Sequence, residues 1–205
     1  MSNEQLAKQV IKSLGFCPED GSASVWVKSF PNHNNYKIKA DMEAQSIDYG
    51  DDITLGDKTT CNFKAKENFV VLESVNRLLE KGYKPTNIEL EKIYSAGHGH
   101  SGKLDICVSR DDGSEYLLIE CKTSGKEFDK EFSNINKDGG QLFTYFKFSN
   151  KADIIMLYAS ELNKNTILYS SKIIKIEYEA QTNINGSAIT TTFHELTLFK
   201  RRIDA

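Results

Sequence analysis

The chain lacks several things, and each absence removes a class of protein. No apolar stretch approaches the ~20 residues that a membrane-spanning helix needs, so no membrane partner is expected. There is no excess of positive charge: 26 Lys and Arg stand against 29 Asp and Glu, a formal net charge of −3. Bulk charge therefore cannot hold nucleic acid as it does in a histone. A DNA partner would have to be met by a local basic groove or a neighbouring domain. The N-terminus, Met-Ser-Asn-Glu-Gln, has neither the basic nor the apolar region of a signal peptide. The cysteines at 17, 61, 107 and 121 show no CxxC spacing and no histidines at zinc-finger intervals. That pattern predicts reduced thiols in a cytoplasmic protein.

What is present fits a globular chain. Hydrophobic residues make up 39% and charged residues 27%, and Phe, Tyr, Ile, Leu and Val are spread along the whole length, which favours a real core over disorder. A length of 205 residues suits one domain, or one domain with an elaboration. Leu6, Val10 and Ile11 share a face of a helix predicted over residues 3–13, with Gly15 as its stop. Residues 22–62 read as β structure: Val25-Trp26-Val27 and the alternating Tyr36-Lys37-Ile38-Lys39-Ala40, parted by a turn at Pro31, Asn32, Asn34 and Asn35. Phe69, Leu72, Val75, Leu78 and Leu79 form a helical stripe over 65–81, closed by Gly82. Strands are predicted over 88–94, 103–109 and 115–122, the last two joined by turn chemistry at Asp111-Asp112-Gly113. Residues 126–137 are polar and highly charged, and Lys126 and Lys130 there read first as a solvated helix face, with a DNA contact as the alternative. A helix over 139–148, a buried strand over 153–160 and strands over 166–179 and 188–199 follow, with a hairpin signal at Asn183-Ile184-Asn185-Gly186. A strand-helix-strand unit of this length favours a parallel crossover. The expected class is α/β, or α+β, with a central mixed β-sheet flanked by helices.

The chemistry concentrates in Lys103-Leu104-Asp105-Ile106-Cys107-Val108 and Tyr116-Leu117-Leu118-Ile119-Glu120-Cys121-Lys122. If Arg110 pairs with Glu115, Asp105 lies directly opposite Glu120, with Cβ atoms ~4.5–5.5 Å apart on one face. Lys122 shares that parity. Two like charges on otherwise apolar strands are destabilising unless a cation joins them, and hard carboxylate oxygens suit Mg²⁺. A lysine beside the metal can position or deprotonate water, or steady developing negative charge. The plainer alternative makes Asp105 and Glu120 solvent-facing strand ends and Lys122 a simple partner of Glu120. The unbroken run Leu117-Leu118-Ile119 marks a strand buried on both faces and favours the site. Gln141 and Tyr145 share a face of the following helix, although Asp138 as N-cap and Gln141 as its capping-box partner also explain that pattern. His98 and His100 in a glycine-rich loop read first as loop residues, with a phosphate contact as the alternative. Cys107 and Cys121 have opposite parity, which predicts core packing and no disulfide.

An Asp on one strand, Glu-Cys-Lys on the next and Gln-x-x-x-Tyr on the following helix resemble the PD-(D/E)XK nuclease superfamily. The resemblance is closest to the N-terminal nuclease domain of type I restriction enzyme R subunits and related single-chain restriction-modification proteins. It implies a restriction-endonuclease-like αβββαβ core over residues 63–160, with 1–62 as an N-terminal elaboration and 161–205 as a C-terminal hairpin extension. It implies Asp105 and Glu120 as Mg²⁺ ligands (Mn²⁺ substituting), with Cys121 counted in the same metal site. Lys122 would be the catalytic lysine. A glutamate on the first helix would complete the catalytic set, Glu67 in preference to Glu73. Gln141 and Tyr145 would contact DNA or orient the site, with His100 and Lys126 as further DNA contacts. Leu104 departs from the proline of the family name. The implied reaction is hydrolysis of double-stranded DNA by a metal-activated water. The chain has no P-loop and no methyltransferase motif, and it ends in Lys200-Arg201-Arg202-Ile203-Asp204-Ala205. It is therefore expected to be a fragment of a larger restriction-modification polypeptide, with helicase or methyltransferase partners downstream and ATP needed only by such a motor. The competing reading is an inactive nuclease-like module that holds DNA or serves in assembly.

Overall fold

The computed structural model describes residues 2–96, 100–138, 140–149, 152–178 and 191–196. Ser2 starts helix α1 (Asn3–Ser13) with a capping box: its hydroxyl accepts from the Gln5 amide at 3.2 Å, and the Gln5 side chain accepts from the Ser2 amide at 3.1 Å. Four short antiparallel strands follow in spatial order β1 (Cys17–Pro18), β2 (Val25–Phe30), β3 (Tyr36–Asp41) and β4 (Ser46–Asp48). The turn expected between β2 and β3 is there, a 3₁₀ turn at Pro31–His33 followed by Asn34 and Asn35 at φ 53° and 60°. Asparagine tolerates that left-handed region better than most residues.

Helix α2 (Lys66–Glu80) occupies the predicted span but is enclosed far beyond one stripe. Val70, Val71, Asn68, Glu73, Ser74 and Asn76 are buried along with the expected Phe69, Leu72, Val75, Leu78 and Leu79. The reason is a second cover. Phe30, Ile38, Ala40, Ile47 and Tyr49 of the small-sheet region share one apolar cluster with α2 and with Ile88, Leu90, Ile106, Val108, Leu117 and Ile119.

Those last residues belong to a mixed seven-stranded sheet in the order β11-β10-β9-β8-β7-β6-β5. Its strands are β5 (Thr54–Leu55), β6 (Ile88–Ala96), β7 (His100–Ser109), β8 (Glu115–Thr123), β9 (Ile154–Asn163), β10 (Thr166–Tyr178) and β11 (Thr191–Leu196). β8 and β9 are parallel, as expected of a crossover. The crossover carries two helices where one was expected, α3 (Lys126–Asp138) and α4 (Gly140–Phe148). The charged stretch 126–137 is a helix because Phe128 and Ile135, seven apart, are buried with Leu142 and Tyr145 of α4 on the other face of the sheet. Ten polar residues out of thirteen concealed that narrow stripe. The β7–β8 register is the expected one, Ile106 opposite Ile119 and Val108 opposite Leu117. A bulge then pairs Ser109 with Glu115, so the proposed Arg110–Glu115 pair does not form. β10 pairs antiparallel with β9 and with β11. The predicted Asn183–Gly186 turn lies outside the described residues. Among them, no helix is long and apolar enough to cross a membrane.

One polar network staples α2 to the sheet. The Glu73 carboxylate accepts from Arg77 at 2.5 Å and from the Tyr158 hydroxyl, while Arg77 also donates to Tyr158 at 3.0 Å and lies 3.8 Å over the Tyr169 ring. Glu73 is almost wholly buried. Removing one partner of such a pair leaves an uncompensated charge in the interior. Glu73→Ala is expected to cost about 3–5 kcal/mol and Tyr158→Phe about 1–2 kcal/mol, measured by urea unfolding.

Candidate functional site

The carboxyl end of β8 brings four charged side chains together. Glu120 is buried to 2% exposure. Its Oε1 accepts from Lys122 Nζ at 2.6 Å, and the same ammonium lies 3.3 Å from Glu67 Oε1 in the first turn of α2. Asp105 on β7 accepts from the Cys121 main-chain N–H at 2.6 Å. Leu117, Leu118 and Ile119, the run leading into this cluster, are buried on both faces of the sheet. The second oxygen of Glu120, Oε2, is buried and has no hydrogen-bond partner.

Plain alternation puts Asp105 on the face of Cys107 and Leu118, but it does not by itself bring the carboxylate to the Cys121 main chain. Even-numbered Leu90 and Ile106 face the α2 cluster, yet even-numbered Tyr94 and Leu104 face the cluster under α3 and α4. The β6–β7 ladder keeps its register throughout and skips one pair, between Leu90–Ile106 and Lys92–Leu104. That skipped pair is Glu91 and Asp105. Glu91 has φ 53°, so the ribbon turns over at this point and the faces exchange.

Electrostatics follow from the crowding. Burial pushes Asp105 up to about 7, and the nearby Glu67 and Glu91 charges add to that, against the Cys121 amide and Lys122. Burial and the Asp105 charge push Glu120 up to about 8, against Lys122. Burial disfavours the Lys122 ammonium, but Glu120, Glu67 and Asp105 outweigh it and hold it charged. Both acids are therefore short of positive charge.

The other predicted residues distribute as follows. Glu67, not Glu73, reaches Lys122; Glu73 belongs to the Arg77–Tyr158 staple. The Cys121 thiol packs in the apolar α2 cluster, so only its main chain meets Asp105. Soft sulfur is the wrong donor for Mg²⁺ in any case. Cys107 packs in the opposite cluster, and the two cysteines are free. Tyr145 is buried on α4; burial, then the Glu120 charge, push its phenol up to about 12. Its ring lies where a Cβ on Gly102 would sit, 2.5 Å from Cε1. The side chain of exposed Gln141 donates to the Tyr145 hydroxyl at 3.1 Å, and its main-chain N–H donates to Glu131 at 2.8 Å. The cap on α4 is thus Glu131 from α3, which the local capping-box reading missed. Lys126 is exposed at the start of α3. His100 pairs through its backbone with Ala96, and His98 lies outside the described residues.

Sequence reasoning also missed Glu91 and Lys103. Lys103 Nζ lies 2.6 Å from buried Glu91 and 2.9 Å from Asp57. Neither carried a sequence signal, because β6 already alternates charged and apolar residues and nothing local marks which of Glu89 and Glu91 is buried.

The donor set fits a hard divalent cation. Two carboxylates with unmet charge and one orphaned oxygen match Mg²⁺, which commonly takes one or two carboxylates and completes its shell with water and phosphate. Among the described residues, no group of three or more His, Cys, Asp or Glu side chains forms a ready-made cage. No protein-family model matches the chain, and no curated protein does.

Two outcomes follow. Asp105 and Glu120 titrate higher in the folded chain than unfolded. The folded state therefore binds more protons, and stability is largest below pH ~4 from these groups and falls as pH rises to ~8. Thermal melts without metal should show that decline, Glu120→Gln should flatten it, and Mg²⁺ should raise the melting temperature more at pH ~8 than at pH ~5.5. Gly102→Ala should cost about 1–3 kcal/mol by overpacking against Tyr145, read by urea unfolding.

Proposed function

We propose that this chain is a Mg²⁺-dependent DNA endonuclease domain of a restriction-modification system, with a restriction-endonuclease-like core from α2 through β9. The observation that carries the reading is the unpartnered Glu120 Oε2, buried beside Asp105 at the end of a strand enclosed on both faces. The order Asp105, Glu120-Cys121-Lys122 and Gln141-x-x-x-Tyr145 along β7, β8 and α4 supports it. So does Glu67 at the start of α2, within reach of Lys122.

Asp105 and Glu120 would hold the cation through hard oxygens. A bound Mg²⁺ supplies Lewis acidity and lowers the pKa of water at the scissile phosphate. Lys122, held as an ammonium by three acids, gives a fixed positive charge where a pentavalent phosphorus gains negative charge. Glu67 orients that ammonium from the α2 side. Tyr145, packed on Gly102 and receiving Gln141, shapes the wall of the site, and exposed Gln141 is the one of the two able to meet a DNA backbone. A net charge of −3 supports delivery to double-stranded DNA by helicase or methyltransferase partners.

Plasmid DNA incubated with the chain in Mg²⁺ or Mn²⁺, with Ca²⁺ as the control, tests this. Cleavage should appear with the first two and drop at least ~10²-fold in Asp105→Ala, Glu120→Ala and Lys122→Ala, with each variant still folded by circular dichroism. Metal-dependent cleavage retained in all three would remove the assignment. DNA binding without any cleavage would favour an inactive holding module.

A further inference from the structure

Glu91 stands out among buried acids because its backbone and its side chain are both committed. It has φ 53°, a conformation few residues other than glycine and asparagine adopt readily. Its side chain is 4% exposed and lies 2.6 Å from Lys103 Nζ. Lys103 also donates to Asp57 at 2.9 Å and to Thr59 at 2.5 Å, tying the segment after β5 to the β6–β7 ribbon. That segment is pressed onto Glu91 itself. The Gly56 amide donates to the Leu90 carbonyl at 2.8 Å, and a Cβ on Gly56 would collide with the Glu91 carbonyl. Strained backbone of this kind persists only where the surroundings over-determine it.

The consequence lies directly across the ladder. Glu91 and Asp105 are the skipped pair at which the two faces exchange. Without the left-handed residue, alternation would continue: Leu104 would point with Ile106 into the α2 cluster, and Asp105 would leave the Cys121 amide. We propose that Glu91 is a positioning residue, clamped by Lys103 and the Gly56–Thr59 segment, whose left-handed turn aims Asp105 at the Cys121 amide beside Glu120. The effect on metal binding rests on the reading of Asp105 as a ligand; the effect on the Asp105–Cys121 hydrogen bond does not.

The test separates the two. Amide hydrogen exchange on the full chain reports the Cys121 N–H, with the Leu118 N–H three residues earlier on β8 as internal control. Glu91→Val, β-branched and unsuited to φ above zero, is expected to speed Cys121 exchange at least ~10-fold relative to Leu118 and to weaken Mn²⁺ binding ~10–100-fold. Lys103→Met should move both in the same direction. Glu91→Gly, which adopts the turn without strain, should bring both back to within ~3-fold of wild type. Unchanged Cys121 exchange in Glu91→Val, or equal loss at Cys121 and Leu118, would overturn the proposal. The expected exchange pattern with no Mn²⁺ binding even in wild type would uphold the positioning role and defeat the metal reading instead.

Discussion

A carboxylate withdrawn from water needs a cation or a proton, and Glu120 is where this chain meets that requirement. Lys122 supplies one contact at 2.6 Å. It cannot serve Glu120, Glu67 and Asp105 together, so the cluster remains acidic on balance and Glu120 Oε2 stays without a partner. An interior that only needed stability would carry apolar residues of similar volume here. The chain instead holds three acids around one ammonium at the end of β8, and the divalent cation and anionic substrate proposed above would share that charge.

The rest of the architecture holds those groups still. β8 lies inside a mixed sheet, with apolar clusters on both faces. On one side α2 is fixed by Arg77, Glu73 and Tyr158, which sets where Glu67 begins. On the other, α4 is capped by Glu131 and packed through Tyr145 onto Gly102, a glycine required by the close approach of the ring. Side chains placed on a strand and two helix starts vary less in position than they would on loops.

Much of this was legible along the chain because the signals were local. Helical periodicity marked α1 and α2, turn residues marked the β2–β3 and β7–β8 connections, and parity placed Cys107 and Cys121 in opposite cores. The β7–β8 register followed from the same pairing arithmetic. The buried stripe of α3, and its standing as a second crossover helix, did not, because two buried residues seven apart carry less signal than the charges around them. The enclosure of α2 could not be read from its own stripe, since the second cover arrives from residues 30–49.

The sequence by itself determined which residue types are available, the order of elements and the pairing of β7 with β8, because propensity, alternation and turn chemistry act over a few residues. Only the tertiary structure decided which of two helix glutamates meets Lys122, that the Cys121 main chain and not its thiol faces Asp105, and that the β6–β7 ribbon turns over at Glu91. Those outcomes depend on contacts between residues up to 55 positions apart. No local pattern encodes such a distance; packing of the assembled layers selects it.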